Sequence, residues 1–258
     1  EYSRGTAKGG RGDLRGMSKV ATSPATAMIM AAGLGTRMLP LTATRPKPLI
    51  EVAGTTLLDH VLDQLRDAGI GRIVVNVHYL ADQVEAHLAR NAAGFDVRIS
   101  DERTLLRDTG GGLVKAKALI EGDPLFCVNA DNWWTDEGGN GLRRMADAWD
   151  CDRMDVLMLM VPFERAGNTQ GTGDFDMDAD GRLSREGPKR QRPYVWTGVQ
   201  LIARRVIADP PAEVFSTNVF WDRAIAAGRC HGLVHQGQWF DVGYPEAIVL
   251  TEAALASG

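Results

Sequence analysis

The chain has 258 residues, 44% apolar and 24% charged, so it can bury a core without staples; a disulfide-held miniprotein, a collagen-like repeat and a disordered chain are excluded. Lys and Arg number 29 against 33 Asp and Glu, a formal charge of −4 that disfavours a general nucleic-acid binder, and no apolar run reaches the ~18 residues of a membrane span. The cysteines Cys127, Cys151 and Cys230 form no CxxC pair, which argues against a disulfide framework or a Cys-rich zinc site and for a cytoplasmic protein.

Residues 1–20 carry Arg4, Lys8, Arg11, Arg15 and Lys19 against Glu1 and Asp13, with many glycines and no apolar period. Residues 1–25 are therefore expected to be a disordered tail or cloning remnant, and 26–258 a single domain. Residues 27–32 form a short apolar run ending in glycines, the pattern of a buried strand. The spacing of Leu57, Leu58, Val61, Leu62 and Leu65 predicts a helix over 55–68, stopped at Gly69. Strands are predicted over 73–77 and 95–100, with a helix over 80–90 between them. A helix over 112–120 and strands over 125–129 and 154–161 follow. Strands and helices alternating at this spacing imply βαβ units and a mostly parallel sheet. Beyond Pro162 the pattern changes. Residues 174–177 and 182–185 flank Ala179-Asp180-Gly181, a hairpin signal. Strands over 195–202, 231–235 and 238–242 and helices over 218–227 and 244–255 complete the chain.

The strongest chemical signal is MIMAAGLGTRM over 28–38, a strand running into a glycine-rich turn. Bare glycine backbone lets N–H groups approach phosphate oxygens, and Arg37 and Lys47 add cations suited to a triphosphate. Two other phosphate motifs fail. Met38 stands where a dinucleotide fingerprint needs its last glycine, and no GKS or GKT occurs.

The stretch AAGLGTRMLPLTATRPKP over 31–48 resembles the signature of the sugar-1-phosphate nucleotidylyltransferases. The resemblance continues at Asp108-Thr-Gly110-Gly111-Gly112, Asn129-Ala-Asp131, Gly173-Asp174-Phe175, 194–199 and Trp239-Phe-Asp241-Val-Gly243. It implies an α/β fold, a Rossmann-like mixed, mostly parallel sheet flanked by helices with an inserted antiparallel hairpin. It also implies attack of a sugar 1-phosphate oxygen on the α-phosphorus of a nucleoside triphosphate, with pyrophosphate leaving. Mg²⁺ is the implied cofactor, held by Asp131 and Asp241, each at the end of an apolar strand. Arg37, Lys47, Asp131 and Asp241 form the implied catalytic set. Ala32, Gly33, Gly35, Thr36, Arg37, Lys47, Gly111 and Asn129 are implied on the nucleotide, and Asp174, Thr197 and Gly198 on the sugar. The partners are then small molecules, with no nucleic acid and no membrane insertion.

Within the family, the short chain, the Thr-Gly-Gly-Gly stretch and the Gly-Asp-Phe segment look most like members that join UTP to N-acetylmuramate 1-phosphate. Ala130, where Gly is common, and the Trp133-Trp134 pair depart from the pattern. Guanylyl transfer to mannose 1-phosphate and thymidylyl or uridylyl transfer to glucose 1-phosphate stay open, as does an inactive nucleotide-sugar-binding regulatory subunit. One of Arg185, Lys189, Arg190 and Arg192 is expected to meet the carboxylate of an acidic sugar. His60 and His87 are expected to be bystanders, and His78 a candidate lining residue.

Overall fold

A computed structural model describes residues 24–185 and 191–257; most of the basic tail, with Lys189 and Arg190, lies outside them. Seven strands build one sheet: β1 (Thr26–Met30), β2 (Arg72–Val77), β3 (Asp96–Asp101), β4 (Leu125–Asn129), β5 (Val156–Pro162), β6 (Tyr194–Ile202) and β7 (Cys230–Val234). Their order is β7-β5-β6-β4-β1-β2-β3. Neighbours run parallel except β6, which is antiparallel to both β4 and β5. Alternate residues of β1 serve opposite faces, Ala27 and Ile29 on one and Met28 on the other, as strand pleating requires.

Helices α1 (Leu57–Ala68), α2 (Ala81–Asn91) and α4 (Gly141–Ala148) cover the first face through Leu58, Leu62, Leu65, Val84, Leu88 and Met145. Helices α3 (Asp108–Ala116) and α5 (Asn218–Ala226) cover the second through Leu113, Phe220 and Trp221. The start of α1 is capped by Thr56, whose hydroxyl accepts the Asp59 amide at 3.0 Å. Its end falls at Gly69, whose φ of 82° suits glycine. A last helix, α6 (Pro245–Leu255), closes a smaller cluster of Met38, Trp133, Phe240 and Val242. The antiparallel hairpin forms as expected, Asp176–Met177 pairing with Leu183–Ser184. No helix among the described residues is long and apolar enough to cross a membrane.

Three features differ from the sequence expectation. Helix α3 starts at Asp108 rather than 112, so Gly110, Gly111 and Gly112 lie inside it. Glycine costs a helix about 1 kcal/mol each, and here packing overrides that cost. A Cβ at Gly110 would lie 2.5 Å from the Phe215 ring, and one at Gly111 would lie 2.3 Å from the Glu213 carbonyl oxygen. Helix α4 and a short strand, Asn132–Trp134, were not expected, because 130–150 is crowded with Asp, Asn and Gly. That strand joins a second sheet, pairing antiparallel with Trp239–Asp241, beside Ala166–Gly167.

Cys127 and Cys230 are buried, and burial pushes each thiol up to about 12; Cys151 is exposed in the turn before β5. His60 is buried, its ring stacked on Trp133 with centroids 4.1 Å apart, and its Nε2 accepts the Trp134 amide at 3.3 Å. Burial lowers its pKa from 6.5 to about 4. The unfolded chain therefore binds a proton near pH 6.5 that the folded chain refuses until about pH 4. Stability from this group is complete above pH 6.5 and is lost as pH falls toward 4, by up to about 3 kcal/mol. Urea titrations across that window should show the wild type losing more stability than His60→Gln. Equal losses would assign acid sensitivity elsewhere.

Candidate active site

Strand order sets the site. In the sheet Met30 pairs with Asn76 on one side and Asn129 on the other, so β1, β2 and β4 end in one row. Ligands of open α/β sheets bind at such carboxyl ends. A cleft of about 530 Å³ opens there. Ala32, Gly33, Gly35, Thr36, Arg37, Lys47, Asn129 and Asp131 all line it.

The turn after β1 holds its shape through Gly35, at φ 65°. A Cβ there would come within 3.0 Å of Thr42 and 3.2 Å of Lys47, so only glycine lets the turn close on them. The Thr42 hydroxyl donates to the Gly35 carbonyl at 2.8 Å. Tyr79 and Gln83 donate to the Thr42 and Thr44 carbonyls at 2.8 and 3.0 Å, tying this segment to α2 and its approach. At Gly33 a Cβ would meet nothing within 4 Å, which leaves bare backbone facing the cleft.

Lys47 is buried, and its Nζ stands 3.0 Å from Asp131 Oδ2. Asp241 reaches the same place through the second sheet, where it pairs with Asn132, the residue after Asp131. Burial raises the Asp241 carboxyl above the usual range; the charges of Asp131 and Asp174 add to this, and Lys47 and Arg37 oppose it. Asp174 is likewise raised by burial, against a 2.9 Å hydrogen bond from the Trp196 amide. A Cβ at Gly243 would lie 2.8 Å from Asp241 Oδ1 and 2.9 Å from Arg37 Nη1. That glycine leaves room for both side chains at one point of the backbone.

Among the described residues no group of three or more His, Cys, Asp or Glu forms a ready metal cage. Mg²⁺ does not need one: it commonly takes one or two carboxylates plus substrate phosphates. The oxygen-only pair of Asp131 and Asp241, close enough to repel, fits that requirement.

Several predicted residues are not in the cleft. Gly111 lies behind its wall, its N–H donating to the Phe215 carbonyl at 3.1 Å. Gly110 spends its N–H on the same oxygen, so this glycine run is read by the protein's own chain. Leu106, Asp108, Thr109 and Val214 form the wall instead. Thr197 is buried, and its hydroxyl donates to the Leu159 carbonyl at 2.8 Å. Gly198, at φ 87°, sits where the β6–β5 pairing slips, packed on Asn129 and Asn132. Arg185 is tied to Asp222 and Asn218, and buried Arg192 pairs with Asp176, so neither is presented to a sugar carboxylate. Trp133 and Trp134 are core residues. His78 bonds the Glu102 carbonyl at 2.7 Å, and His87 bonds Asp59 at 2.7 Å.

Sequence reasoning missed Asn76, Glu102 and Val214. Asn76 carried one signal, an amide at the end of a β-branched strand, as Asn129 is at the end of β4.

The nucleotidyl transferase family model matches residues 26–258, and the chain belongs to that family. The chain is 44% identical to an N-acetylmuramate alpha-1-phosphate uridylyltransferase of Caulobacter vibrioides, over 91% of this chain and 98% of that protein. It is 28% identical to a mannose-1-phosphate guanylyltransferase of Mycobacterium tuberculosis, over 93% of this chain and 67% of the other. Its fold matches a UDP-glucose pyrophosphorylase solved with UDP-glucose at a TM-score of 0.73 and 15% identity, covering 91% of this chain and 99% of that one.

Gly243→Ala should lower pyrophosphate release about tenfold or more by displacing the Arg37 and Asp241 side chains from their contact with residue 243, since misplacing a charged group in a site costs that much. The clash falls on flexible side-chain ends, so the melting temperature should stay near that of the wild type. Full activity would deny that this contact matters.

Proposed function

We propose that the protein transfers the uridylyl group of UTP to N-acetylmuramate 1-phosphate, giving UDP-N-acetylmuramate and pyrophosphate. The observation that carries this is the meeting of Arg37, Lys47 and Asp131 at one cleft, with Asp241 near enough to feel their charges, in a chain 44% identical to a uridylyltransferase for that sugar. The coarser chemistry, nucleotidyl transfer to a sugar 1-phosphate, rests on family membership.

A sugar-phosphate oxygen forms a bond to the α-phosphorus as the bond to the bridging α–β oxygen breaks. The electron pair leaves with pyrophosphate. A sugar phosphate is already ionised near neutral pH, so no general base is required, and none of the five histidines needs a catalytic role. Catalysis is positioning and charge stabilisation. Gly35, Thr36 and Arg37 bind the β- and γ-phosphates and stabilise the departing pyrophosphate. Lys47, held by Asp131, bridges the α-phosphate and the incoming sugar phosphate and offsets the repulsion between two polyanions. Mg²⁺, held by Asp131 and Asp241, neutralises phosphate charge when bound. Asn129 meets the ribose or a phosphate, and Asp174 accepts from sugar hydroxyls.

A regulatory subunit without chemistry would have no use for all four charged residues.

The test is pyrophosphate release with Mg²⁺, crossing four nucleoside triphosphates with the 1-phosphates of N-acetylmuramate, glucose, mannose and N-acetylglucosamine. Turnover confined to UTP and N-acetylmuramate 1-phosphate is expected. Another productive pair would replace the substrates and keep the mechanism; silence from folded, nucleotide-binding protein would favour the regulatory reading. Asp131→Asn and Asp241→Asn should each lower kcat by about 100-fold or more, the scale of losing one electrostatic stabiliser. Chelation of Mg²⁺ should abolish turnover and be reversed by adding it back.

A further inference from the structure

The cleft has one wall built by the turn after β1, where the proposed function puts the phosphates, and another built by the start of α3, which that reading leaves as the base side. A buried chain of three hydrogen bonds joins them. The Ala31 amide, first residue of the turn, donates to Asn76 Oδ1 at 2.7 Å. Asn76 Nδ2 donates to Glu102 Oε1 at 2.9 Å, and Glu102 Oε2 accepts the Arg107 amide at 3.1 Å, just before α3. Asn76 is 2% exposed and Glu102 0%.

Buried carboxylates are costly unless hydrogen-bonded, and each oxygen of this one accepts a hydrogen bond. Packing closes on it as well. A Cβ at Gly112 would lie 2.8 Å from Glu102 Oε1 and 3.0 Å from Asn76 Nδ2, so α3 rests its bare backbone on the pair. Each member has its polar atoms directed, one acceptor and one donor on Asn76 and two acceptors on Glu102, along a single line from wall to wall.

We propose that Asn76 and Glu102 are positioning residues that lock the phosphate turn and the base-side wall into one unit, so that nucleotide affinity depends on the pair although Glu102 touches no nucleotide. This rests on the cleft being the nucleotide site.

The test uses near-isosteric exchanges. Asn76→Asp puts a second acceptor opposite the Glu102 carboxylate. Glu102→Gln leaves an N–H facing another N–H, at either Asn76 or Arg107. Combined, the carboxylate at 76 accepts from Ala31 and from the amide at 102, whose oxygen accepts from Arg107. All three bonds return, the middle one with its direction reversed.

Each single variant should weaken UTP binding with Mg²⁺ about tenfold, the effect of one buried group left unpaired, and the double variant should return to within about threefold of wild type. In the free protein, amide exchange at Ala31 and Arg107 should quicken together in both singles and slow again in the double. Near-wild-type binding by both singles, effects that multiply in the double, or exchange that changes at one wall only would overturn the proposal. If a single variant does not fold, a double that folds supports the pair and a double that does not overturns it. Wild type that fails to bind UTP would remove the functional reading alone, since the exchange experiment needs no nucleotide.

Discussion

Asp131 and Asp241 lie close enough for the charge of one to disfavour that of the other. A site that keeps both must hold them from outside. The backbone ladder between Asn132–Trp134 and Trp239–Asp241 does so by pairing Asn132 with Asp241. Lys47, 3.0 Å from Asp131, and the Arg37 guanidinium supply the compensating charge. Gly243 leaves the space on which Arg37 and Asp241 both border. The fold thus brings two carboxylates and two cations together beyond the end of β4.

The glycines of this cleft do three different jobs. Gly33 presents bare backbone to the cavity, and Gly35 allows a tight turn over Thr42 and Lys47. Gly110 and Gly111 admit the backbone and side chains of 213–215 against α3. In the last case the space left by the missing side chains is already filled by the chain itself. The exposed side chain of Val214 then reaches the cleft from a segment distant in sequence from α3.

Much of this was legible beforehand. The strands and amphipathic helices carry periods that the burial follows closely: Leu58, Leu62 and Leu65 face inward, and Gly69 stops α1. The turn at 33–37 and the strand-end Asp131 could be read because their chemistry is local. What could not be read was tertiary. Asp108-Thr-Gly-Gly-Gly looks like open loop until Phe215 is packed on it. Thr197 looks available until the Leu159 carbonyl claims its hydroxyl. The partners of Arg185 and Arg192 come from α5 and from the hairpin, so their charge in sequence says little about what they meet in space. Glu102 resembles any surface acid among Asp101 and Arg103, and only the fold buries it.

The cysteines give the molecule a practical asymmetry. Cys127 and Cys230 are sealed in the sheet with thiols that stay protonated at neutral pH, whereas Cys151 is exposed at the amino end of β5. Because β6 is antiparallel to both β4 and β5, those two strands run the same way. The amino end of β5 therefore lies at the edge of the sheet opposite the cleft. A thiol-reactive dye or surface linker would attach at a single point and leave the mouth of the cleft facing solution. The protein can be tethered in one orientation without adding or removing a residue.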